Sequence, residues 1–156
     1  SDSRIPEVVI GNLYDELARR DFTMNAIAQD EDGNLIDPFN GQKDIQDKIL
    51  RCPIDAQTSF NDDPLRMLRA LRFSITKGFG IPRDITDVIN EDTDLWSKFS
   101  KVVSQERIRE EVCKMMKHDS IGTIRLLSSF DDKSSLPILE KIFAEGMWLK
   151  PTTEKK

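Results

Sequence analysis

Apolar positions change period part-way along the chain, and the change predicts two kinds of structure. Ala26, Ile27 and Ala28 form a short apolar run, Asp32-Gly33 closes a cluster of acids, and Leu35-Ile36 returns. Two short runs joined through an Asp-Gly pair read as a β-hairpin. Ahead of it, residues Ser1 to Leu17 read as the short apolar run Val8-Val9-Ile10, a Gly-Asn turn and a polar segment. After the hairpin, Asp37-Pro38-Phe39-Asn40-Gly41 forms a turn with capping acids. A short helix is expected from Asp44 to Lys48, then a strand-like run at Ile49-Leu50-Arg51. Beyond about Phe60 the spacing becomes helical. Asp62-Asp63-Pro64 supplies an acid as N-cap and a proline for the first turn. Leu65, Leu68, Leu71 and Ile75 then form an apolar stripe that ends at Gly78 and Gly80. Ser104 opens another helix, with Ile108, Val112 and Met115 at helical spacing. Shorter helices are expected from Thr123 to Ser128 and from Pro137 to Phe143. The expectation is an α+β protein, mostly α, with a hairpin-bearing piece over 1–58 and a helical piece over 59–156.

A length of 156 residues fits one medium domain or two small ones sharing a helical junction. With 38% hydrophobic and 33% charged residues, the composition is that of a helix-rich globule and not of a disordered tail. No apolar stretch reaches the length of a membrane span, and Ser1-Asp2-Ser3-Arg4 lacks the apolar core of a secretory signal. Cys52 and Cys113 lie far apart, with His118 the only other soft ligand. The expectation is therefore a cytoplasmic protein with reduced, buried thiols, no zinc and no membrane partner. A net charge of -5 argues against a nucleic-acid grip over the whole surface. Local basic patches stay open, because arginines gather at Arg66, Arg69 and Arg72 while acids gather at Asp30-Glu31-Asp32.

Arg19-Arg20-Asp21-Phe22-Thr23-Met24-Asn25-Ala26 mixes charges, an aromatic ring and an amide in a way that no amphipathic period requires. Further on, a helix starting at Asp63 puts Arg66 beside it on one face, and Arg69 and Arg72 continue that row. A carboxylate next to a guanidinium sets an acceptor beside a donor array. Cytosine and adenine each present an exocyclic amino donor beside a ring-nitrogen acceptor, and guanine and uracil present the reverse order. A mismatch leaves buried polar groups unpaired at about 1–3 kcal/mol each, enough for discrimination of about 10⁴. The bland alternative makes Asp63 an N-cap and Arg66 its exposed partner, worth under about 1 kcal/mol.

Both stretches resemble a known family. Residues 19–26 resemble the nucleotide-binding signature of the tRNA nucleotidyltransferases and bacterial poly(A) polymerases, the class II nucleotidyltransferase superfamily. Asp62-Asp63-Pro64-Leu65-Arg66-Met67-Leu68-Arg69-Ala70-Leu71-Arg72-Phe73 resembles its base-reading motif, with Asp62 where the family usually has Glu. Asp37 to Ile45 and Ser104-Gln105-Glu106-Arg107-Ile108, with Glu110 and Glu111, resemble two further motifs, the last a capped helix whose charges brace its neighbour. The resemblance runs over roughly residues 4 to 115 and implies the later part of a nucleotidyltransferase head, then a helical neck and the start of a body. It implies that Asp63 and Arg66 select the base and that Arg20, Arg69 and Arg72 hold sugar and phosphates, with Asp21, Asn25 and Asp62 in support. For Asp21 a plain salt bridge to a neighbouring arginine is an equal reading, and Phe22 reads as packing. The substrates implied are CTP and ATP with Mg²⁺, and the partner is the tRNA 3′ end; poly(A) synthesis shares these motifs.

One part of the family's pattern is missing. Its metal ions sit on two carboxylates one residue apart after a Gly-Gly turn, ahead of the arginine-rich signature. The stretch before Arg19 holds no such element, and Asp30-Glu31-Asp32 comes too late in the order and reads as a solvated turn. No catalytic or metal residue is assigned, so the expectation is a chain inactive alone. The resemblance implies a nucleotidyltransferase-family protein that adds or helps add CCA to tRNA 3′ ends. The alternatives are a non-catalytic nucleotide- or tRNA-binding fragment, half of a split enzyme whose partner supplies the missing element, or a poly(A) polymerase. Met115, Met116 and Trp148 read as core, and His118 as a helix-end or solvated residue.

Overall fold

The computed structural model describes residues 7–133, with side chains described from 11 to 129. Among these residues the fold is mostly helical, with one two-stranded antiparallel sheet. Helix α1 (Glu7–Ala18) leads into a single 3₁₀ turn (Thr23–Asn25), then β1 (Ala28–Gln29), β2 (Leu35–Ile36) and α2 (Gly41–Asp47). Six helices follow: α3 (Ala56–Asp62), α4 (Leu65–Lys77), α5 (Arg83–Glu91), α6 (Thr93–Val102), α7 (Gln105–His118) and α8 (Ser120–Lys133). No helix among the described residues is long and apolar enough to cross a membrane.

The hairpin forms where its turn chemistry places it. Ala28 pairs with Ile36 and Gln29 with Leu35. The Asp30 carboxylate accepts the backbone N–H groups of Asn34 (2.8 Å) and Asp32 (2.9 Å), and Gly33 takes φ +86°. Asp30 thus serves the turn, and the Asn34 N–H holds its carboxyl below its ordinary range. Asp37 caps α2 by accepting from Gly41 N–H (2.6 Å) and Gln42 N–H (2.9 Å). Helix α2 is fixed to the 3₁₀ turn by the buried Asp44, which accepts from the Thr23 hydroxyl at 2.6 Å and from Arg51 Nε at 3.2 Å. Gly41 makes that approach possible, since a Cβ there would lie 2.0 Å from the Thr23 carbonyl oxygen.

Helix α4 is the centre of the core. Leu65, Met67, Leu68, Ala70, Leu71 and Phe73 are all buried, more of its circumference than the leucine stripe alone predicts. Against it pack Ile108, Val112 and Met115 of α7, while Phe60 of α3, Ile85 and Ile89 of α5, and Trp96 and Phe99 of α6 complete the cluster. Each fully buried side chain of this size contributes about 1.5–3 kcal/mol. The Trp96 indole N–H is satisfied by the Ile89 carbonyl at 2.8 Å. Phe22 reaches this core from the hairpin side and meets Phe73 edge-on, with ring centroids 5.8 Å apart.

Several sequence expectations need correction. Ser1 to Leu17 does not turn at Gly11-Asn12, because α1 runs through that pair. The cost of an interior glycine, about 1 kcal/mol, is borne by a helix that buries Leu17 completely. Helix α2 begins at Gly41, ahead of Asp44, because Asp37 supplies its cap. Ile49-Leu50-Arg51 forms no strand; Ile49 makes only an isolated parallel bridge to Gly80. Helices α3, α5 and α6 were not anticipated, although Asp55 and Asp92 cap α3 and α6 through the N–H groups of Thr58 and Leu95. Helix α8 starts at Ser120 and passes through the expected Thr123–Ser128 segment without stopping. Pro137 to Phe143 and Trp148 lie outside the described residues. Cys52 is buried as expected, but Cys113 is exposed on α7.

Two outcomes are expected. Gly41→Ala lowers stability by about 1–3 kcal/mol in urea unfolding, whereas Gly11→Ala, with nothing within 4 Å of its new methyl, raises it by about 1 kcal/mol. Burial pushes the Cys52 thiol up to about 12, so a thiol reagent near neutral pH labels Cys113 in the native protein and Cys52 only in denaturant.

Candidate functional site

The start of α4, the end of α1 with the turn after it, and the start of α7 converge on one cleft of about 560 Å³. Local chain chemistry makes the convergence. Asp63 closes α3 in extended conformation and Pro64 then enters α4 at φ −60°, so the backbone bends at one peptide and turns Asp63 and Arg66 into the same cleft. Asp63 does not sit inside α4 as its cap residue, but its Oδ1 still accepts the Leu65 N–H at 3.2 Å.

Asp63 and Arg66 are anchored to different elements. Asp63 Oδ2 accepts from Arg107 Nη2 of α7 at 2.8 Å. Arg66 Nη1 donates to the Ser59 hydroxyl at 2.9 Å and to the Ser59 carbonyl at 3.3 Å, and Nη2 donates to the Arg19 carbonyl at 2.6 Å. A guanidinium has further N–H groups and a carboxylate further lone pairs, so each keeps capacity to meet a ligand. Both side chains line the one cleft, and each is held from behind by its own partners.

Arg69 is the hub of a second layer. Its Nε and Nη2 donate to Asp21 Oδ2 at 2.8 and 2.5 Å, and its Nη1 reaches Glu111 Oε2 at 3.4 Å. Arg72 Nε donates to the other oxygen of Glu111. Arg72 lies over the Phe73 ring at 4.4 Å and is outside the cleft lining, whereas Arg69 and Phe73 both line it. Asp21 also accepts the Phe22 N–H at 2.7 Å and the Asn25 side-chain amide at 3.0 Å, so one carboxylate shapes the turn and orients Arg69. Arg20 borders the cleft, donating to the Asn25 carbonyl at 3.1 Å and to Glu16 at 3.2 Å. Asp62 ends α3, is exposed, and does not line the cleft.

Most of the expected side chains thus meet: Arg20, Asp21, Asn25, Asp63, Arg66 and Arg69. Sequence reasoning assigned no site role to Arg107 or Ser59, nor to the carbonyl of Arg19. The signal for Arg107 lay in the Ser104 cap, whose hydroxyl accepts the Arg107 N–H at 3.2 Å and so fixes where that side chain emerges. Within the cleft, Arg19, Arg20, Arg66, Arg69 and Arg107 outnumber Asp21 and Asp63, making it cationic in a chain whose net charge is -5. Such a cleft concentrates anionic ligands. It does not fit a metal: Asp21 and Asp63 are each held by an arginine, and no three His, Cys, Asp or Glu side chains gather among the described residues.

Comparison with known proteins points in one direction. The family model described as the poly A polymerase head domain matches residues 1–51. The CCA-adding enzyme of Lactobacillus johnsonii is 41% identical over 116 residues, which make up 73% of this chain and 28% of that protein. The crystal structure of the Bacillus stearothermophilus CCA-adding enzyme in complex with CTP matches with a TM-score of 0.66 at 37% identity, over 75% of this chain and 29% of that one. The Thermotoga maritima CCA-adding enzyme complexed with tRNA_CCA matches with a TM-score of 0.66 at 28% identity, over 84% of this chain and 31% of that one. The chain spans about 28% of the length of the Lactobacillus johnsonii relative.

Glu111 is 4% exposed and carries both Arg69 and Arg72. Removing its charge takes the carboxylate partner from Arg72 and one of two from Arg69, so Glu111→Gln is expected to cost about 3 kcal/mol in denaturant unfolding. The exposed neighbour variant Glu110→Gln is expected to stay within about 0.5 kcal/mol of the parent.

Proposed function

Because the chain belongs to the class II nucleotidyltransferase family over the segment it shares with the CCA-adding enzymes, we propose that its cleft selects a nucleoside triphosphate by the edge of its base, in the service of CCA addition to tRNA 3′ ends. The observation that carries the reading is that Asp63 and Arg66 line one cationic cleft, each anchored from behind. In this reading Asp63 accepts the exocyclic amino group of cytosine or adenine, and Arg66 donates to the adjacent ring nitrogen. Guanine and uracil set donor against donor and acceptor against acceptor, at about 1–3 kcal/mol per unpaired group.

Arg20 and Arg69 take the sugar and phosphates, a task suited to permanently charged forked donors. Arg72 acts indirectly, by holding Glu111, which in turn orients Arg69. Asp21 and Asn25 support the site by fixing Arg69 and the turn that carries Arg20, and Asp62 flanks it at the end of α3. Mg²⁺ would supply charge stabilisation for the transfer, and none of the described residues is assigned to hold it. The chain's own part is to bind, orient and select. In this reading the paired carboxylates of the reaction come from a further segment or chain.

The expected result is that CTP and ATP bind at least tenfold more tightly than GTP and UTP in equilibrium titrations, and that Asp63→Ala removes the preference. Equal affinity for all four triphosphates would overturn the reading, and a preference for ATP alone would move it to poly(A) synthesis. With tRNA lacking its 3′ end, CTP, ATP and Mg²⁺, the chain alone is expected to be silent and to gain incorporation when a chain bearing the paired carboxylates is added.

A further inference from the structure

Arg66 differs from three other arginines of the cleft in what holds it. Arg20, Arg69 and Arg107 each bond a carboxylate, those of Glu16, Asp21 and Asp63. Among the described residues Arg66 bonds neutral oxygens only: the Ser59 hydroxyl at 2.9 Å, the Ser59 carbonyl at 3.3 Å and the Arg19 carbonyl at 2.6 Å. Ser59 takes Nη1 and Arg19 takes Nη2, so both ends of the fork are fixed in direction while its charge stays uncompensated. Ser59 is completely buried in α3, between the buried Ala56 and Phe60 that seat this helix in the core. It does not line the cleft, so its effect on a ligand passes through Arg66.

We propose that Ser59 determines specificity as a positioning residue: by pinning Arg66 it makes the cleft exclude guanine and uracil. The inference rests on reading Asp63 and Arg66 as the pair that meets the base edge. In that reading an Arg66 N–H is aimed at the ring nitrogen of the base. Cytosine and adenine offer a lone pair there, whereas guanine and uracil offer an N–H. An unanchored arginine escapes this clash of donors by turning aside on its flexible stem, and the wrong base then loses little. An arginine held at both ends of its fork turns aside only by giving up its own hydrogen bonds. Selectivity is a difference between two affinities, and the Ser59 hydroxyl acts on it by weakening the wrong complex. Its contribution to holding cytosine or adenine is small, because Arg66 already points at their lone pair.

The sign of one substitution separates this role from plain structural support. Ser59→Ala removes the hydroxyl and keeps a residue suited to a helix. In equilibrium titrations of the whole chain, Ser59→Ala is expected to bind GTP and UTP about fivefold more tightly than the parent, with CTP and ATP within about twofold. An equal loss for all four triphosphates, or four unchanged affinities, overturns the proposal. Paired with Arg66→Met, the same Ser59→Ala change is expected to move no affinity by more than about twofold, and a larger effect there overturns the route through Arg66. A second measurement uses the parent alone: nitrogen-15 spectra of the ligand-free chain are expected to show slow rotation of the Arg66 guanidinium, and fast rotation overturns the proposal. A parent that binds all four triphosphates equally overturns the base-reading cleft and this inference together. A parent preference that survives Ser59→Ala overturns this inference alone.

Discussion

The contact between the Asp21 carboxylate and the Arg69 guanidinium is the constraint on which the rest of this structure turns. Asp21 belongs to the segment between α1 and the hairpin, and Arg69 to the central helix. The same guanidinium reaches Glu111 of α7, so one side chain ties three parts of the chain together. Its energetics explain why it fixes geometry more than it adds stability. Taking charges out of water costs several kcal/mol per ion, and the mutual attraction roughly repays that when every partner is in place. A shift of any member leaves an uncompensated charge. The apolar counterpart is Phe22 against Phe73, which contributes burial on the same seam without setting a direction.

Under the proposed base-reading role, that seam has a functional meaning. A site that discriminates by donor and acceptor order needs its polar groups fixed before the ligand arrives, because a rotating carboxylate would accommodate either order. Asp63 is held by the Leu65 N–H and by Arg107, and Arg66 by Ser59 and the Arg19 carbonyl. Those anchors come from α3, α7 and the end of α1. The cleft is therefore only as well defined as the packing of those elements against α4, and the Asp21–Arg69–Glu111 web sets that packing.

Much of this was legible in the residues, for reasons that can be stated. The hairpin was readable because Asp-Gly has a specific turn chemistry, and α4 and α7 because their apolar positions repeat at helical spacing between clear start signals. Asp63 and Arg66 do line one cleft, but not through helical spacing: Asp63 is extended at the end of α3 and α4 starts only at Leu65, so the bend at Asp63-Pro64 brings them to it. Helix α1 was misread because Gly11-Asn12 is a strong local turn signal and burial of Leu17 is a tertiary fact. Helices α3, α5 and α6 are short, and their caps at Asp55 and Asp92 are single residues with no periodic run to support them. Arg107 and the Arg19 carbonyl were invisible for a deeper reason: they meet residues more than forty positions away, and no local pattern encodes such a meeting. The place of Arg72, turned to Glu111 and outside the cleft, is likewise set by α7.

The bend at Asp63-Pro64 has a consequence for how the chain can vary. Only two residues, Asp63 and Pro64, separate one helix from the next, and Lys98 Nζ also donates to the Asn61 carbonyl there at 2.5 Å. An inserted residue in the first turn of α4 would turn the residues after it about the helix axis by roughly 100°, carrying its arginines together away from the cleft. The hairpin tip at Glu31 to Gly33 projects into solvent and bears no such burden. Length variation among related chains should therefore collect at the tip, while the elbow keeps its residue count even where its side chains drift.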